Sequence, residues 1–262
     1  MPGGADRDRG RPPDHRRRGR GQRGLPARAA AVRQGRVPRL AGRPDGRGHG
    51  RGRLSRVLAA DSALHEEILL AAYDGWGGAG VRGWSRELGL VLAAAVLTEL
   101  ARAGRVVVDP AGVVYARDAT KAPDPVSDAL LERLLLTRRA HRAHWWLDRQ
   151  GDTVLDLTLS RLLHTGALSE RRVRRWGVLP TTDRVPSDPV RAARAREAIR
   201  RAGTGTPTER TATAAALLSA ANLSTPLALP RTNWRTCRPP VPTVASELAL
   251  TLAISRIPPA LA

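Results

Sequence analysis

From Asp61 onward the apolar positions recur at helical spacing. Leu64, Ile68 and Ala71, with Leu69 and Ala72 beside them, form one stripe, and His65, Glu66 and Glu67 occupy the opposite arc. Gly75, Gly77, Gly78 and Gly80 are expected to end this helix in a loop. After Trp84, Ser85 is placed to cap a second helix that runs to about Ala103, with Gly104 at the left-handed C-terminal turn. Leu88, Leu90, Val91, Leu92, Ala93, Ala94, Ala95, Val96 and Leu97 leave that helix no polar face, so it belongs at the centre of a domain.

Two stretches change the period from helix to strand. Arg105–Val108 and Val113–Arg117 are β-branched runs around Asp109-Pro110-Ala111-Gly112, the pattern of a hairpin. Downstream, Leu155–His164 reads as a helix closed by Gly166, and Ala167–Val173 with Trp176–Leu179 as extended runs pairing around Arg174 and Arg175. Helix, glycine and hairpin therefore occur twice. Further helix starts are marked by Asp124-Pro125 and Asp188-Pro189, each a capping carboxylate before a proline at the first helical position, and by a capping box of Thr206 and Glu209. The helices that follow should cover 124–139, 189–202 and 207–223. Past Pro226 the pattern is broken by Pro230, Pro239, Pro240 and Pro242, leaving Ser246–Ser255 as a short terminal helix. The expected fold class is mainly α, a multi-helix domain around a central apolar helix, with two β-hairpins.

Charge divides the chain. Residues 1–56 hold 17 Arg, four Asp and 12 Gly, a net charge of +13, and lack any run of large apolar residues. They cannot bury enough surface to offset the entropy of ordering and are read as a disordered Arg/Gly/Pro-rich tail. Residues 57–229 form the helical domain, and 230–262 a Pro-rich segment with the short helix. The remaining 206 residues carry the other +7 of the total of +20.

Several function classes lack their residues. The strongly apolar run Leu88–Leu97 is about half of what a membrane-crossing helix requires, and the uncharged stretch Thr211–Pro230 is interrupted by Thr, Ser, Asn and Pro. Leu25–Val32 is split by Pro26 and Arg28 and makes no secretory signal. Cys237 is the single cysteine, which excludes an internal disulfide, and the expected location is cytoplasmic. His141 and His144 share a helical face but have no third ligand at suitable spacing, and no Gly-x-Ser-x-Gly elbow occurs. Neither catalysis, a metal nor a cofactor is expected. A winged helix-turn-helix reading fails because the middle of Ser85–Ala103 offers no Arg, Asn, Gln or Lys to base edges. Arginine is the abundant chemical resource, since Lys121 is the one lysine among 44 basic residues. Guanidinium groups grip phosphate in paired hydrogen bonds, so the tail is suited to nucleic acid or anionic lipid.

Four motifs carry a resemblance. Leu64-His65-Glu66-Glu67-Ile68-Leu69-Leu70, the run 92–105 reading LAAAVLTELARAGR, Asp124–Leu131, and Gly177-Val178-Leu179-Pro180-Thr181-Thr182 occur in the order seen in the Golgi phosphoprotein 3 family, across residues 57–225, in the manner of an actinobacterial member. The resemblance implies a peripheral membrane protein that binds phosphatidylinositol 4-phosphate. Trp84 aligns with the family's membrane-contacting tryptophan, whereas the three headgroup arginines align with Ala93, Asp152 and Leu155. Arg82 and Arg86 flank Trp84 and can supply cationic charge in their place. The family's membrane-facing hairpin corresponds to Arg171, Arg172, Arg174, Arg175 and Trp176, each arginine contributing about 1 kcal/mol near an anionic leaflet. The expected partner is anionic membrane lipid. The alternative is a nucleic-acid-associated protein acting through the tail.

If residues 1–56 have no core, their removal should leave the melting temperature of the remainder within about one or two degrees of the full chain, and their amides should exchange without protection. Calorimetry and hydrogen exchange check this. Protected amides in 1–56 would contradict it.

Overall fold

A computed structural model describes residues 62–175, 179–202, 207–229, 232–236, 238 and 240–255, with the side chains of 74–83, 173–175, 179–181 and 236 outside the description. The expected tail, 1–56, lies outside the described residues, as does Cys237. Among the described residues the chain forms seven α-helices and two small antiparallel sheets: α1 (Leu64–Gly83), α2 (Ser85–Arg102), β1 (Val106–Val108), β2 (Val113–Ala116), α3 (Pro125–Leu136), β3 (His141–Arg142), α4 (Ala143–His164), β4 (Leu168–Arg175), β5 (Leu179–Pro186), α5 (Pro189–Arg201), α6 (Glu209–Ala220) and α7 (Val241–Ser255), with a 3-10 turn at Trp234–Thr236. The mainly helical expectation holds.

The centre is α2. Leu88 through Thr98 are buried without exception, and Leu92 and Val96 are fully enclosed. A helix apolar all round needs neighbours on every side, and α1, α3, α4, α6, α7 and β1 supply them. The closest approach is to α4. A Cβ on Gly89 would stand 2.8 Å from the Gly151 carbonyl oxygen and 2.9 Å from its carbon, so the two backbones touch where a side chain on Gly89 does not fit.

Local signals explain most element boundaries. Asp124 Oδ1 accepts from the amides of Val126 and Ser127 at 3.0 and 3.1 Å, and Asp188 does the same for Val190 and Arg191, each before a proline as expected. Such caps are worth about 1 kcal/mol each. Gly104 and Gly166 have φ of +70° and end α2 and α4. Each is followed by antiparallel strands, so the repeated helix, glycine, hairpin order is present. β1 and β2 pair with Val107 opposite Tyr115, and β3, which the sequence did not suggest, adds Arg142 opposite Val113.

Other boundaries differ from expectation. The backbone of α1 remains helical through Gly75, Gly77, Gly78 and Gly80 to Gly83. Each interior glycine costs about 1 kcal/mol, a weak preference that packing of α1 against α5 and β5 overrides. Ser85 does not cap α2; it is the first helical residue, and Trp84 holds the N-cap position at φ −124° and ψ 24°. The cap of α6 is Thr208, whose hydroxyl accepts from the Thr211 amide, rather than Thr206, which lies outside the described residues. α4 begins at Ala143, twelve residues before the expected Leu155. Pro242 sits inside the first turn of α7, where its missing amide costs nothing, so that helix starts at Val241. Val244, Ala245 and Leu248 are fully buried, so α7 packs its apolar face into the helical core.

The polar arc of α1 is not a solvated one. His65 is fully buried and Glu66 is 6% exposed. Arg161 reaches Glu66 from α4, and Arg210 reaches Glu67 from α6 at 3.1 Å. Burial pushes the Glu67 carboxyl above its ordinary range, with Arg210 opposing that shift.

Two substitutions test this centre. Leu92→Asp should abolish cooperative folding, since an isolated buried charge costs several kcal/mol, about the stability of a domain. Gly89→Ala should lower stability by about 1–3 kcal/mol, the steric cost exceeding the roughly 1 kcal/mol gained in helix propensity. At Gly151 the nearest contacts of an added Cβ are 3.3 Å, so Gly151→Ala should cost less. Urea melts of the two alanine variants give the order.

Candidate membrane-facing site

The candidate residues gather where α1 passes into α2. The break in helical geometry at Trp84 puts its indole at the surface, 38% exposed, at the start of the buried helix. Arg82 lies in the last turn of α1, and its side chain is outside the described residues. Arg86, in the first turn of α2, donates to Asp148 Oδ1 on α4 at 2.8 Å and to Ser255 Oγ at the end of α7 at 3.2 Å. Both charged side chains are more than half exposed, so the pair contributes little to stability. Ile254, beside Ser255, is 52% exposed, and Leu250 one turn earlier is 41% exposed. An indole, a guanidinium and the apolar end of α7 thus share one end of the helical unit.

The ground beside Arg86 is a shallow hollow of about 180 Å³ lined by Arg86, Leu90, Asp148, Gly151 and Asp152. It exists because the glycine contact brings α4 against the first turns of α2. Its carboxylates outnumber its guanidinium. The three positions aligned with headgroup arginines are accounted for individually: Ala93 and Leu155 are packed in the core, and Asp152 is an exposed acid in the hollow. A phosphate placed here meets Arg86 and two acidic side chains.

The second candidate element is an eight-residue ribbon. β4 pairs with β5 from Leu168 opposite Pro186 to Arg175 opposite Leu179. The second strand is therefore Leu179–Pro186, not Trp176–Leu179, and Arg174 and Arg175 belong to a strand rather than to the turn. Arg171 and Arg172 are both exposed and, as adjacent strand residues, emerge on opposite faces. Arg184 lies 3.6 Å from Glu170 across the ribbon. The side chains of Arg174 and Arg175, and all of Trp176, lie outside the described residues.

The histidines near α4 have structural partners. His141 stacks on Trp145 with centroids 4.0 Å apart, and His144 Nδ1 lies 2.8 Å from Glu247 Oε2, joining α4 to α7. Among the described residues no group of three or more His, Cys, Asp or Glu side chains is placed to hold a metal, and no helix is long and apolar enough to cross a membrane.

With this geometry in place, comparison with known families is decisive. The Golgi phosphoprotein 3 (GPP34) family model matches residues 64–251, from the first residue of α1 into α7. The chain belongs to the Golgi phosphoprotein 3 family. The match extends past residue 225 into α7, which packs against α2. No curated protein matches the chain. Asp148 and Ser255, the partners of Arg86, were missed from sequence because they stand 62 and 169 residues away from it.

Neutralising the acids beside Arg86 tests how this end responds to negative charge. Asp148→Asn and Asp152→Asn should each strengthen attachment to anionic vesicles while changing stability by less than about 1 kcal/mol. Co-sedimentation and thermal melts read the two quantities.

Proposed function

We propose that this Golgi phosphoprotein 3 family member is a non-enzymatic peripheral protein that docks on anionic phospholipid through the Trp84 end of its helical unit and the basic β4–β5 ribbon. The observation that carries the reading is the exposed indole of Trp84 at the mouth of a buried helix, with Arg86 and the apolar end of α7 around it. An indole beside guanidinium groups suits the headgroup layer, and membrane attraction adds about 1 kcal/mol for each nearby arginine. Phosphatidylinositol 4-phosphate is the family's implied ligand. The core positions of Ala93 and Leu155 and the acid at Asp152 favour attraction to total anionic charge over a pocket for that headgroup.

Flotation with phosphatidylcholine vesicles containing either phosphatidylserine or phosphatidylinositol 4-phosphate tests the proposal. Binding should follow total negative charge and fall steeply as salt shortens the screening length to about 3 Å near 1 M. Replacing Arg171, Arg172, Arg174 and Arg175 together by Ser should release the protein, whereas Trp84→Ala should weaken it more modestly. Salt-insensitive binding that requires the 4-phosphate and survives loss of the four arginines would replace charge attraction with a specific pocket. Loss of binding on removal of residues 1–56, with equal capture by duplex DNA, would favour the nucleic-acid alternative.

A further inference from the structure

The Trp84 end of the helical unit is built from more than α2 and α7. Gly89 touches Gly151 and Arg86 bonds Asp148, two pairs with the same separation of 62 residues, and Glu99 and Arg161 line one cleft farther along. α2 and α4 therefore run parallel and in step. By that register Trp145 lies within about 1.5 Å, one residue's rise, of the level of Trp84. α3 comes to the same end. Asp124 at its start lines the cleft with Glu99, and Arg133 in its last turn donates to Gln150 Oε1 on α4 at 2.6 Å. The connection from α3 to α4 thus closes the end that presents Trp84.

That connection combines exposed apolar side chains with unpaired arginine. Leu135 is exposed, and Leu136 is 74% exposed, the highest value of any large hydrophobic side chain among the described residues. Trp145 is exposed too, although its ring is held on two sides, stacked on His141 at 4.0 Å and edge-on to Trp146 at 4.9 Å. Residues 133–147 contain four arginines and no aspartate or glutamate. Arg138, Arg139 and Arg142 are exposed, and among the described residues no carboxylate pairs with them. At the opposite end of α2, Arg102, Arg161 and Arg210 are each held by a glutamate.

We infer that the α3–α4 connection is a second membrane-contacting edge, where Leu136 and Trp145 enter an anionic bilayer surface and Arg138, Arg139 and Arg142 bind its phosphates. The inference rests on the reading of the Trp84 end as a membrane contact and extends it to an edge outside the aligned positions. Exposed apolar side chains interleaved with cations match a partner that offers hydrocarbon and phosphate at adjacent depths. A leaflet does so, with leucine below the headgroups, the indole among them and guanidinium groups reaching up to them. Nucleic acid supplies phosphate and base faces but no hydrocarbon layer for two leucines. Docked in this way, α2 and α4 stand end-on to the membrane, with an indole from each at one level.

The full chain is labelled with an environment-sensitive nitrobenzoxadiazole at Leu136→Cys, and separately at Leu157→Cys, exposed midway along α4, each in a Cys237→Ser background. With vesicles of phosphatidylcholine and phosphatidylserine the label at position 136 should brighten and shift to the blue, and the label at position 157 should not. Arg138→Ser, Arg139→Ser and Arg142→Ser combined should weaken co-sedimentation by about a hundredfold in low salt, roughly fivefold for each arginine. Arg142 holds the N-cap position of α4 without a side-chain bond, a place where serine caps well, so this variant should keep the parent melting temperature. Vesicles that do not hold the parent would overturn this inference and the Trp84 reading together. A parent that is held, and loosened by Trp84→Ala, while the label at position 136 stays unchanged or the arginine variant binds undiminished, would overturn this inference alone. Brightening at both positions, or at position 136 with a single-stranded oligonucleotide and not with vesicles, would also overturn it.

Discussion

The structure depends on the contact between Gly89 and Gly151. A helix without a polar face must be surrounded, and the depth to which α2 is enclosed is set by how near its largest neighbour can come. With hydrogen on both α-carbons, α2 and α4 meet backbone to backbone. Leu88, Leu90, Leu92 and Leu97 then fill the spaces on either side, where each buried leucine contributes about 1.5–3 kcal/mol of transfer free energy. The same contact brings Asp148 within reach of Arg86 near one end of α2 and Arg161 within reach of Glu66 near the other, because α4 follows α2 along its length.

The two ends of α2 use charge differently. At the Trp84 end the ion pair is exposed and the acids are open to solvent, so electrostatics there is screened and responsive to a charged surface. At the Arg102 end carboxylates and guanidinium groups are partly or wholly enclosed, and His65 is completely so. Charges held in that way are costly unless paired, and they fix the positions of α1, α4 and α6 relative to α2. The net charge of +7 on residues 57–262 is therefore not a uniform coat. Much of the helical unit's arginine is committed to internal pairs, and the ribbon carries a concentrated exposed share at Arg171 and Arg172.

What was legible in the sequence was what short-range chemistry controls. The apolar run 88–97 identified the central helix, Asp124-Pro125 and Asp188-Pro189 marked two helix starts, and Gly104 and Gly166 marked two ends. For the caps and the glycine ends the deciding interaction spans no more than about one turn, and the run 88–97 is continuous in the chain, so the neighbouring letters contain each signal. The family motifs were also local, and they led to the assignment that the match over 64–251 established.

Tertiary structure decided the rest, for a reason visible in particular residues. That His65 and Glu66, on the polar arc of α1, are buried was not legible, because nothing within a few positions shows that Glu99, Asp124 and Arg161 will cover them. The glycines of α1 read as a loop because their cost is local, whereas the partners on which α1 packs, α5 and β5, lie a hundred residues away. The turn of the second hairpin was placed too early because alternation alone does not set register, which the full ladder from Leu168 to Arg175 settles. The candidate site is assembled across the chain, Arg86 with Asp148 and Ser255. Spacing along one strand of letters determines the elements; which polar groups lose their water is determined only when those elements close on one another.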